Sequence, residues 1–403
     1  MIRLLTWFAI ATSVVLSACG TADAPSEPPA NVSVAAGDGA AHLNWTAQDG
    51  HGYWVFYAPG TTLDYATRVS QPGYRSKYFT SLPATVTGLT NGTAYAFLVA
   101  AEKDGSPAGP SSLSMTVTPR SAGAEWNAAT ALPAADMNGV AYSSSLKLFV
   151  AVGSAGAVYS SPDAKSWTAR TSTTGRNLYA VSFSSGRFIA VGADGAVIRS
   201  SNGIDWTAPA RPTGATLRAV ADYNGTAIAI GDSGTILLSG NGESWTAVSS
   251  GTTATLNAIA SSSALGRVVI AGDAGTLLSS NSPAQSWQSL ASGFSGTLRG
   301  ASFGRTSEGN NVFVVVGDAS QALRSLDGIN FAPASVPSGV DLRASAFGTQ
   351  FVAVGASGAA LTSRDGSQWL AADTGVTANL HALTFGLDRF SALGTIGTNL
   401  TSL

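Results

Sequence analysis

The chain of 403 residues is longer than one ordinary domain, so two or more domains are expected. Only 11% of the residues are charged, against 45% apolar residues, and this excludes a disordered chain and a nucleic-acid-binding protein. The formal charge of −2 gives no attraction to nucleic acid or acidic membranes, and few charges with 46 glycines are typical of an all-β protein with tight turns.

The chain begins with a segment that predicts targeting rather than a folded element. Residues 1–20 read MIRLLTWFAIATSVVLSACG, in which one cation precedes an apolar stretch of signal-peptide length. The segment resembles the bacterial lipoprotein signal, in which a tripeptide such as LSA precedes the lipid-bearing cysteine, here Cys19, the only cysteine of the chain. An ordinary secretory signal with a chance cysteine is the alternative.

The lipoprotein resemblance implies a signal peptide over 1–18, lipidation at Cys19 and a linker over 19–27. Gly20 stands where an aspartate often retains such proteins in the inner membrane. The resemblance therefore implies a protein of the bacterial cell envelope that is anchored by lipid to the outer membrane.

Residues 28–119 predict an all-β module. Strand-like runs such as VSVAA, YWVFYA and SMTV are rich in β-branched and aromatic residues and are separated by turns. The order and spacing resemble a fibronectin type III domain, with Trp45 as the core tryptophan and Tyr95 in the tyrosine-corner stretch. This resemblance implies a spacer, with a contact to protein or glycan as the alternative.

From residue 124 the sequence repeats about every forty residues, which is typical of β-propeller blades. Each copy has an apolar strand, a second strand ending in a Gly-x-x-Gly step, a third strand, and a polar turn before an aromatic that begins a fourth strand. The steps begin at seven glycines: Gly153, Gly192, Gly231, Gly272, Gly317, Gly355 and Gly394. The sequence therefore predicts a seven-bladed propeller over 124–403.

The polar turns, such as SNGIDW and SRDGSQW, resemble the Asp-box of neuraminidase-type propeller repeats. Their Asp or Asn caps the turn through the backbone, so Asp163, Asp327 and Asp365 are predicted to be structural. Only six aromatics follow the boxes, while Trp126 stands alone near the start of the repeats. This mismatch predicts that the amino-terminal strand beginning at Trp126 completes the last blade and closes the ring.

One variable position follows the first apolar residue of each first strand. In a propeller this position lies at one mouth of the central channel, so the seven side chains form a candidate ligand face: Asn138, Tyr179, Arg218, Asn257, Arg299, Arg343 and His381. The glycine steps are predicted to add Asp194, Asp232, Asp273 and Asp318 to that face. A hydrated, partly ion-paired rim and a pocket for an anion or carboxylate are the two interpretations.

No catalytic or metal-binding motif is present in the sequence, so no catalytic residue, metal or cofactor is predicted, and enzymatic activity is left open but not favoured. The compact repeats resemble the photosystem II assembly/stability-factor type of propeller, which implies a non-enzymatic binding or assembly scaffold with an envelope protein as partner. The alternative is a glycan-binding or sialidase-like propeller that uses the three arginines. Sialidases have six longer blades and an Arg-Ile-Pro motif that this sequence lacks.

Overall fold

The computed structural model describes residues 23–106, 108–133 and 135–402, and its secondary structure is strands, turns and single turns of 3-10 helix. The prediction of an all-β protein is confirmed for this part of the chain. It divides into two compact units, one reaching Thr118 without residues 36–39, and one formed by residues 36–39 together with those from Pro119 onwards. Within the described ranges, no helix has the length and apolar character needed to cross a membrane.

The first unit has two antiparallel sheets. One has the order β1-β2-β5 and the other β4-β3-β6-β7, with these bounds: β1 Ser33–Gly37, β2 Ala40–Asn44, β3 His51–Pro59, β4 Arg75–Phe79, β5 Ala84–Thr87, β6 Tyr95–Lys103 and β7 Met115–Val117. Both sheets contribute apolar residues to one core that includes Trp45, whose ring lies 4.9 Å from that of Tyr53. The Tyr95 hydroxyl accepts a 3.1 Å hydrogen bond from the Thr90 N–H, so the phenol holds the preceding loop.

The second unit repeats an antiparallel sheet seven times in the described residues. The first strands are β9 Met137–Ser143, β13 Leu178–Ser184, β16 Leu217–Tyr223, β20 Leu256–Ser262, β24 Leu298–Arg305, β28 Leu342–Phe347 and β32 Leu380–Gly386. The second strands are β10 Leu148–Gly153, β14 Arg187–Gly192, β17 Thr226–Gly231, β21 Arg267–Gly272, β25 Asn311–Gly317, β29 Phe351–Gly355 and β33 Arg389–Gly394.

Shorter strands complete each sheet on its outer side. The third strands are β11 Val158–Ser161, β15 Val197–Ser200, β18 Ile236–Ser239, β22 Leu277–Ser280, β26 Ala322–Ser325, β30 Ala360–Ser363 and β34 Asn399–Ser402. The fourth strands are β8 Trp126–Ala128, β12 Thr168–Arg170, β19 Thr246–Val248, β23 Gln288–Leu290, β27 Ala332–Pro333 and β31 Leu370–Ala372.

The sheet of β13 to β15 departs from the predicted four strands. Its outer edge is a single bridge between Arg199 and Thr207, which exchange two backbone hydrogen bonds of 2.9 Å. The next hydrogen-bonded position along the ladder would fall on Pro209, which has no N–H to donate. The proline therefore limits this strand to a bridge.

Neighbouring sheets share apolar cores. The first strand of each sheet packs against the first strand of the next, and β32 packs against β9. The six aromatics that follow the polar turns, together with Trp126, each pack into a core shared with the preceding sheet. Trp206, Trp369 and Trp126 are buried there, while Trp167, Trp245, Trp287 and Phe331 are partly buried. These seven aromatics join adjacent sheets.

The last sheet contains strands from two distant parts of the chain. Strand β34 pairs with β8 in antiparallel register, with Leu400 opposite Ala128 and Ser402 opposite Trp126. The Ala129 N–H also donates to the Asn399 carbonyl at 3.0 Å. The amino-terminal strand thus occupies the place where the final repeat has no fourth strand of its own.

Candidate functional site

The seven side chains of the candidate ligand face share one backbone feature. In β28, Leu342 lies opposite Gly355 and Ala344 lies opposite Val354, so Arg343 between them has no partner in the ladder. The same one-residue β-bulge occurs at Asn138, Tyr179, Arg218, Asn257, Arg299 and His381. A bulge re-aims the side chain of its extra residue, so one local device orients all seven.

The glycine at the end of each second strand permits this bulge. A Cβ on Gly355 would lie 1.9 Å from the Asp341 carbonyl oxygen, and the other six step-opening glycines meet the equivalent carbonyl at 2.0–2.3 Å. No side chain fits at such a distance, so the close approach of the two strands requires glycine. The repeated glycine seen in the sequence is therefore the partner of the bulge.

The seven bulge residues line one cavity of about 240 Å³, here called the mouth. Behind them the cavity wall is formed by small residues, one from each first strand: Gly139, Ala180, Ala219, Ala258, Gly300, Ala344 and Ala382. The structure therefore brings together all seven residues that the sequence singled out. It places them around one concave space, and small and apolar residues of the first strands form most of the remaining lining.

Two of the three mouth arginines are paired with aspartates of their own sheets. The Arg218 Nε lies 2.5 Å from the Asp232 carboxylate, and Arg299 makes two bonds to Asp318, of 2.6 and 2.8 Å. The hydrogen bonds that Arg299 donates to Asp318 raise the pKa of Arg299, which burial alone would lower. In the intervening sheet, the Asn257 amide donates to Asp273 at 2.8 Å.

Arg343 differs from the other two arginines. The position occupied by Asp232 and Asp318 is Ala356 in its sheet. Its Nε is buried and has no hydrogen-bond partner, and its guanidinium makes no ion pair with a described residue. Burial and the positive charge of Arg343 lower the pKa of the adjacent His381, while Asp136 acts in the opposite direction.

The sequence did not reveal which aspartate meets which mouth residue. Asp232, Asp273 and Asp318 directly follow the first glycine of a step, and each bonds to the bulge residue of its own sheet. Asp194 stands one position later and bonds instead to Arg176, which is not a bulge residue, at 3.2 Å. An aspartate directly after the first glycine of a step was therefore the sequence signal for a bond to the bulge residue.

The polar turns lie at the opposite end of the strands from the mouth. The mouth residues stand near the start of the first strands, and in an antiparallel sheet the third strands end at the other end, where the turns follow. The Asp327 carboxylate accepts bonds from the backbone N–H groups of Ile329 and Asn330, both at 2.8 Å. Burial raises the pKa of Asp327, but these bonds outweigh it and hold the pKa below its usual range. Asp163 and Asp365 likewise bond within their own turns.

Other sequence predictions concern metals and the lipid anchor. Among the residues that the structure describes, no group of three or more His, Cys, Asp or Glu side chains is placed to hold a metal ion. His42 and His51 lie in the first unit, whereas His381 lies in the second. Cys19 lies outside the described residues.

Comparison with known proteins identifies the architecture of the repeats. A family model described as the DUF6242 beta propeller domain matches residues 106–214. The chain contains a β-propeller. No curated protein matches it.

Three solved structures resemble the propeller in fold. YCF48 bound to D1 peptide is 17% identical with a TM-score of 0.55, covering 69% of this chain and 94% of that one. YCF48 from Cyanidioschyzon merolae is 19% identical with a TM-score of 0.55, covering 69% and 98%. The Myceliophteria thermophila Cps50 (Swd1) beta-propeller domain is 10% identical with a TM-score of 0.53, covering 69% and 98%.

Proposed function

We propose that this protein is a non-enzymatic binding scaffold of the bacterial cell envelope, which recognises a protein partner through the mouth of its propeller. The observation that carries this proposal is the ring of bulge residues. The backbone at this position is the same in seven sheets, while the side chain changes among Asn, Tyr, Arg and His. A constant framework with varied side chains around a concave space is suited to recognition.

The proposed architecture is a seven-bladed propeller that is closed by β8 and β34 and preceded by a fibronectin type III domain. Seven repeated sheets, the packing of β32 on β9 and the pairing of Ser402 with Trp126 support closure. Two sheets around Trp45, with the Tyr95 hydroxyl bonded to the Thr90 backbone, support the fibronectin assignment for residues 28–119.

The proposed anchor is a lipid on Cys19, which follows a signal peptide over residues 1–18. The support is the LSAC tetrapeptide at the end of an apolar segment, with no other cysteine in the chain. With Gly20 after the cysteine, we place the protein at the outer membrane. In the sequence, the module over 28–119 lies between the proposed anchor and the propeller.

The charges at the mouth favour binding over catalysis. Asp232 and Asp318 are held by Arg218 and Arg299, and Asp273 is held by Asn257, so these carboxylates are engaged in structural bonds. Acid–base hydrolysis of a glycoside requires two carboxyl groups flanking the scissile bond. The YCF48 structure with a bound D1 peptide supports a polypeptide as the kind of partner for this fold.

The sialidase-like alternative is not favoured by this arrangement. It requires three arginines to converge on one sugar carboxylate. In the mouth, Arg218 and Arg299 each bind an aspartate of their own blade, and Arg343 is the arginine left for an external group.

A photo-crosslinking residue placed at Tyr179 tests the proposal, because Tyr179 lines the mouth. The matched control carries the same residue at Ile204, which is 44% exposed on a polar turn at the other end of the blades. We expect irradiated cell envelopes to give a discrete protein adduct from position 179 and not from position 204. Adducts from position 204 alone, or none from either position, would contradict recognition through the mouth.

A further inference from the structure

The three bulge arginines of the propeller, Arg218, Arg299 and Arg343, stand at equivalent positions and can be compared directly. Blades with Arg218 and Arg299 at the bulge have Asp232 and Asp318 directly after the step glycine, and each pair is in contact at 2.5–2.6 Å. The bulge residue and the residue after the glycine therefore face one another across each blade. In this framework, a bulge arginine is neutralised when an aspartate stands opposite.

The blade of Arg343 breaks this rule. Ala356 stands opposite the arginine and supplies no charge, and the buried Nε of Arg343 has no partner. The nearest carboxylate in sequence, Asp341, accepts a 2.9 Å bond from the Ala319 N–H of the preceding blade. A buried guanidinium N–H without an acceptor is costly, so an acceptor from outside the described residues would stabilise it.

The groups around Arg343 restrict the charge of that acceptor. His381 on the neighbouring blade lines the same cavity, and Asp136 is the acidic group that acts on His381. The Asp136 carboxylate accepts a 3.0 Å bond from the Ile396 N–H. One uncompensated cation beside one engaged carboxylate suits a ligand group with a single negative charge better than a dianion.

We propose that Arg343 and His381 form a binding site for one carboxylate group, with the small residues Ala344 and Ala382 accommodating the apolar part of the same ligand. The planar guanidinium matches a carboxylate through paired N–H bonds. This inference rests on the proposed role of the mouth and names the chemistry of the group that enters it. The carboxylate belongs either to a polypeptide or to a small organic acid.

The test uses propionate as the probe and the uncharged propionamide as its control. The chain has three histidines, so the imidazole signals of His381 can be followed by NMR and assigned with the variant H381N. We expect propionate to shift these signals saturably at constant ionic strength and to raise the pKa of His381, because a bound anion favours the imidazolium. Propionamide should do neither.

Substitutions at the step separate charge compensation from loss of the arginine. Ala356→Asp should pair with Arg343, as Asp318 pairs with Arg299, and weaken propionate binding by at least about tenfold while the arginine is retained. Ala193→Asp is the matched control, because it adds the same charge opposite Tyr179 and should leave binding within a few fold. Arg343→Gln should remove binding, and Asp318→Asn should release Arg299 and create a second site.

Unchanged binding in both Arg343→Gln and Ala356→Asp, or an equal response to propionamide, would overturn the site. Should Ala356→Asp fail to fold, Arg343→Gln and Asp318→Asn decide the matter, with thermal melting as the check on folding.

The source of the carboxylate is tested with the blocked peptides acetyl-Ala-Asp-Ala-amide and acetyl-Ala-Asn-Ala-amide. Tighter binding of the Asp peptide than of propionate, with no binding of the Asn peptide, identifies a polypeptide ligand. The reverse order identifies a small acid, which supports the carboxylate site but contradicts the protein-binding scaffold. Protein adducts from position 179 that persist in Arg343→Gln would support the scaffold without this site.

Discussion

Ser402 lies opposite Trp126 in an antiparallel strand pair, although every other sheet of the second unit is built from the residues between them. We therefore predict that Asn127→Cys with Thr401→Cys, which are also opposite one another, forms a disulfide under mild oxidation. Cys19→Ser must be present so that only the new pair reacts. Non-reducing electrophoresis and a thermal melt measure the bond and its stabilisation.

The matched control for this pair is Thr246→Cys with Thr401→Cys. Thr246 directly follows Trp245, as Asn127 directly follows Trp126, but it lies in a different blade. If the control pair forms a disulfide to the same extent as the test pair, the bond arises from random collisions of cysteines and is not evidence that the strands are neighbours. Absence of the bond in both would argue against the pairing of β8 with β34.

Truncation of the buried tryptophan Trp206 should destabilise the propeller. It is 5% exposed in a core shared by two blades, so Trp206→Ala should lower the free energy of unfolding by about 3–5 kcal/mol. Trp206→Phe should cost less than the alanine variant, because it leaves a smaller cavity and the indole N–H has no hydrogen-bond partner to lose. Denaturant unfolding measures both free energies. A cost below about 1 kcal/mol for the alanine variant would contradict the packing of Trp206 in the core between two blades.

The bulge should fail when its glycine is replaced. In Gly355→Ala, the new Cβ would lie 1.9 Å from the Asp341 carbonyl oxygen, and the strain should cost about 1–3 kcal/mol. Gly240→Ala is the control, since a Cβ at that position meets no atom within 4 Å. Equal melting temperatures for the two variants would mean that the strands separate without penalty.

The turn aspartate Asp327 should make stability depend on pH in the acid range. Its folded-state pKa lies below the ordinary value of 3.8, so its contribution is present above pH 3.8 and is lost as pH falls through the folded-state pKa. At neutral pH, Asp327→Ala should cost about 1 kcal/mol, and this deficit should shrink as the solution is acidified. Denaturant unfolding at several pH values measures the deficit.

Asn241 is the matched control, because it caps the equivalent turn of another blade through bonds to the Glu243 and Ser244 N–H groups at 2.9 and 3.0 Å. An amide does not titrate, so the deficit of Asn241→Ala should be the same at every pH. Parallel pH profiles for the two variants would assign the acid sensitivity to other carboxylates.

The proposed lipid anchor predicts a change in fractionation. Cys19→Ser leaves no thiol for lipidation, so the protein should move from the membrane pellet to the soluble fraction. Labelling with a radioactive fatty acid should be lost in parallel. Retention of the variant in the pellet at the wild-type level would show that something other than a lipid on Cys19 holds the protein there.

The repeat pattern allowed most of the propeller strands to be predicted, because Gly355 and its six equivalents mark one fixed point in every copy. The pattern did not predict that the outer strand would shrink to the bridge between Arg199 and Thr207. Pro209 lacks the N–H that the next hydrogen bond of the ladder needs, and only the strand register shows that this bond would fall on Pro209. The fourth strand is the shortest in each sheet, so one missing N–H is enough to eliminate it.

The residues around the mouth were predictable as a set, and their charge balance was not. Ala356 and Asp318 can be aligned in the sequence, but only the bulge shows that this position faces the arginine of the same blade. Without that contact, Arg218, Arg299 and Arg343 look equivalent. The distinction between two satisfied arginines and one unsatisfied arginine therefore required three-dimensional geometry.

The unpaired state of the bulge residues affects how this surface can change over evolutionary time. Because a bulge residue takes no part in the ladder, its replacement leaves the strand register and the inter-blade cores unaltered. These seven positions can therefore change without the insertions or deletions that most binding loops require, although replacing Arg218 or Arg299 also requires a change at the aspartate that it binds. For protein engineering, the bulge positions that line the mouth are suitable sites for a combinatorial library on a fixed scaffold.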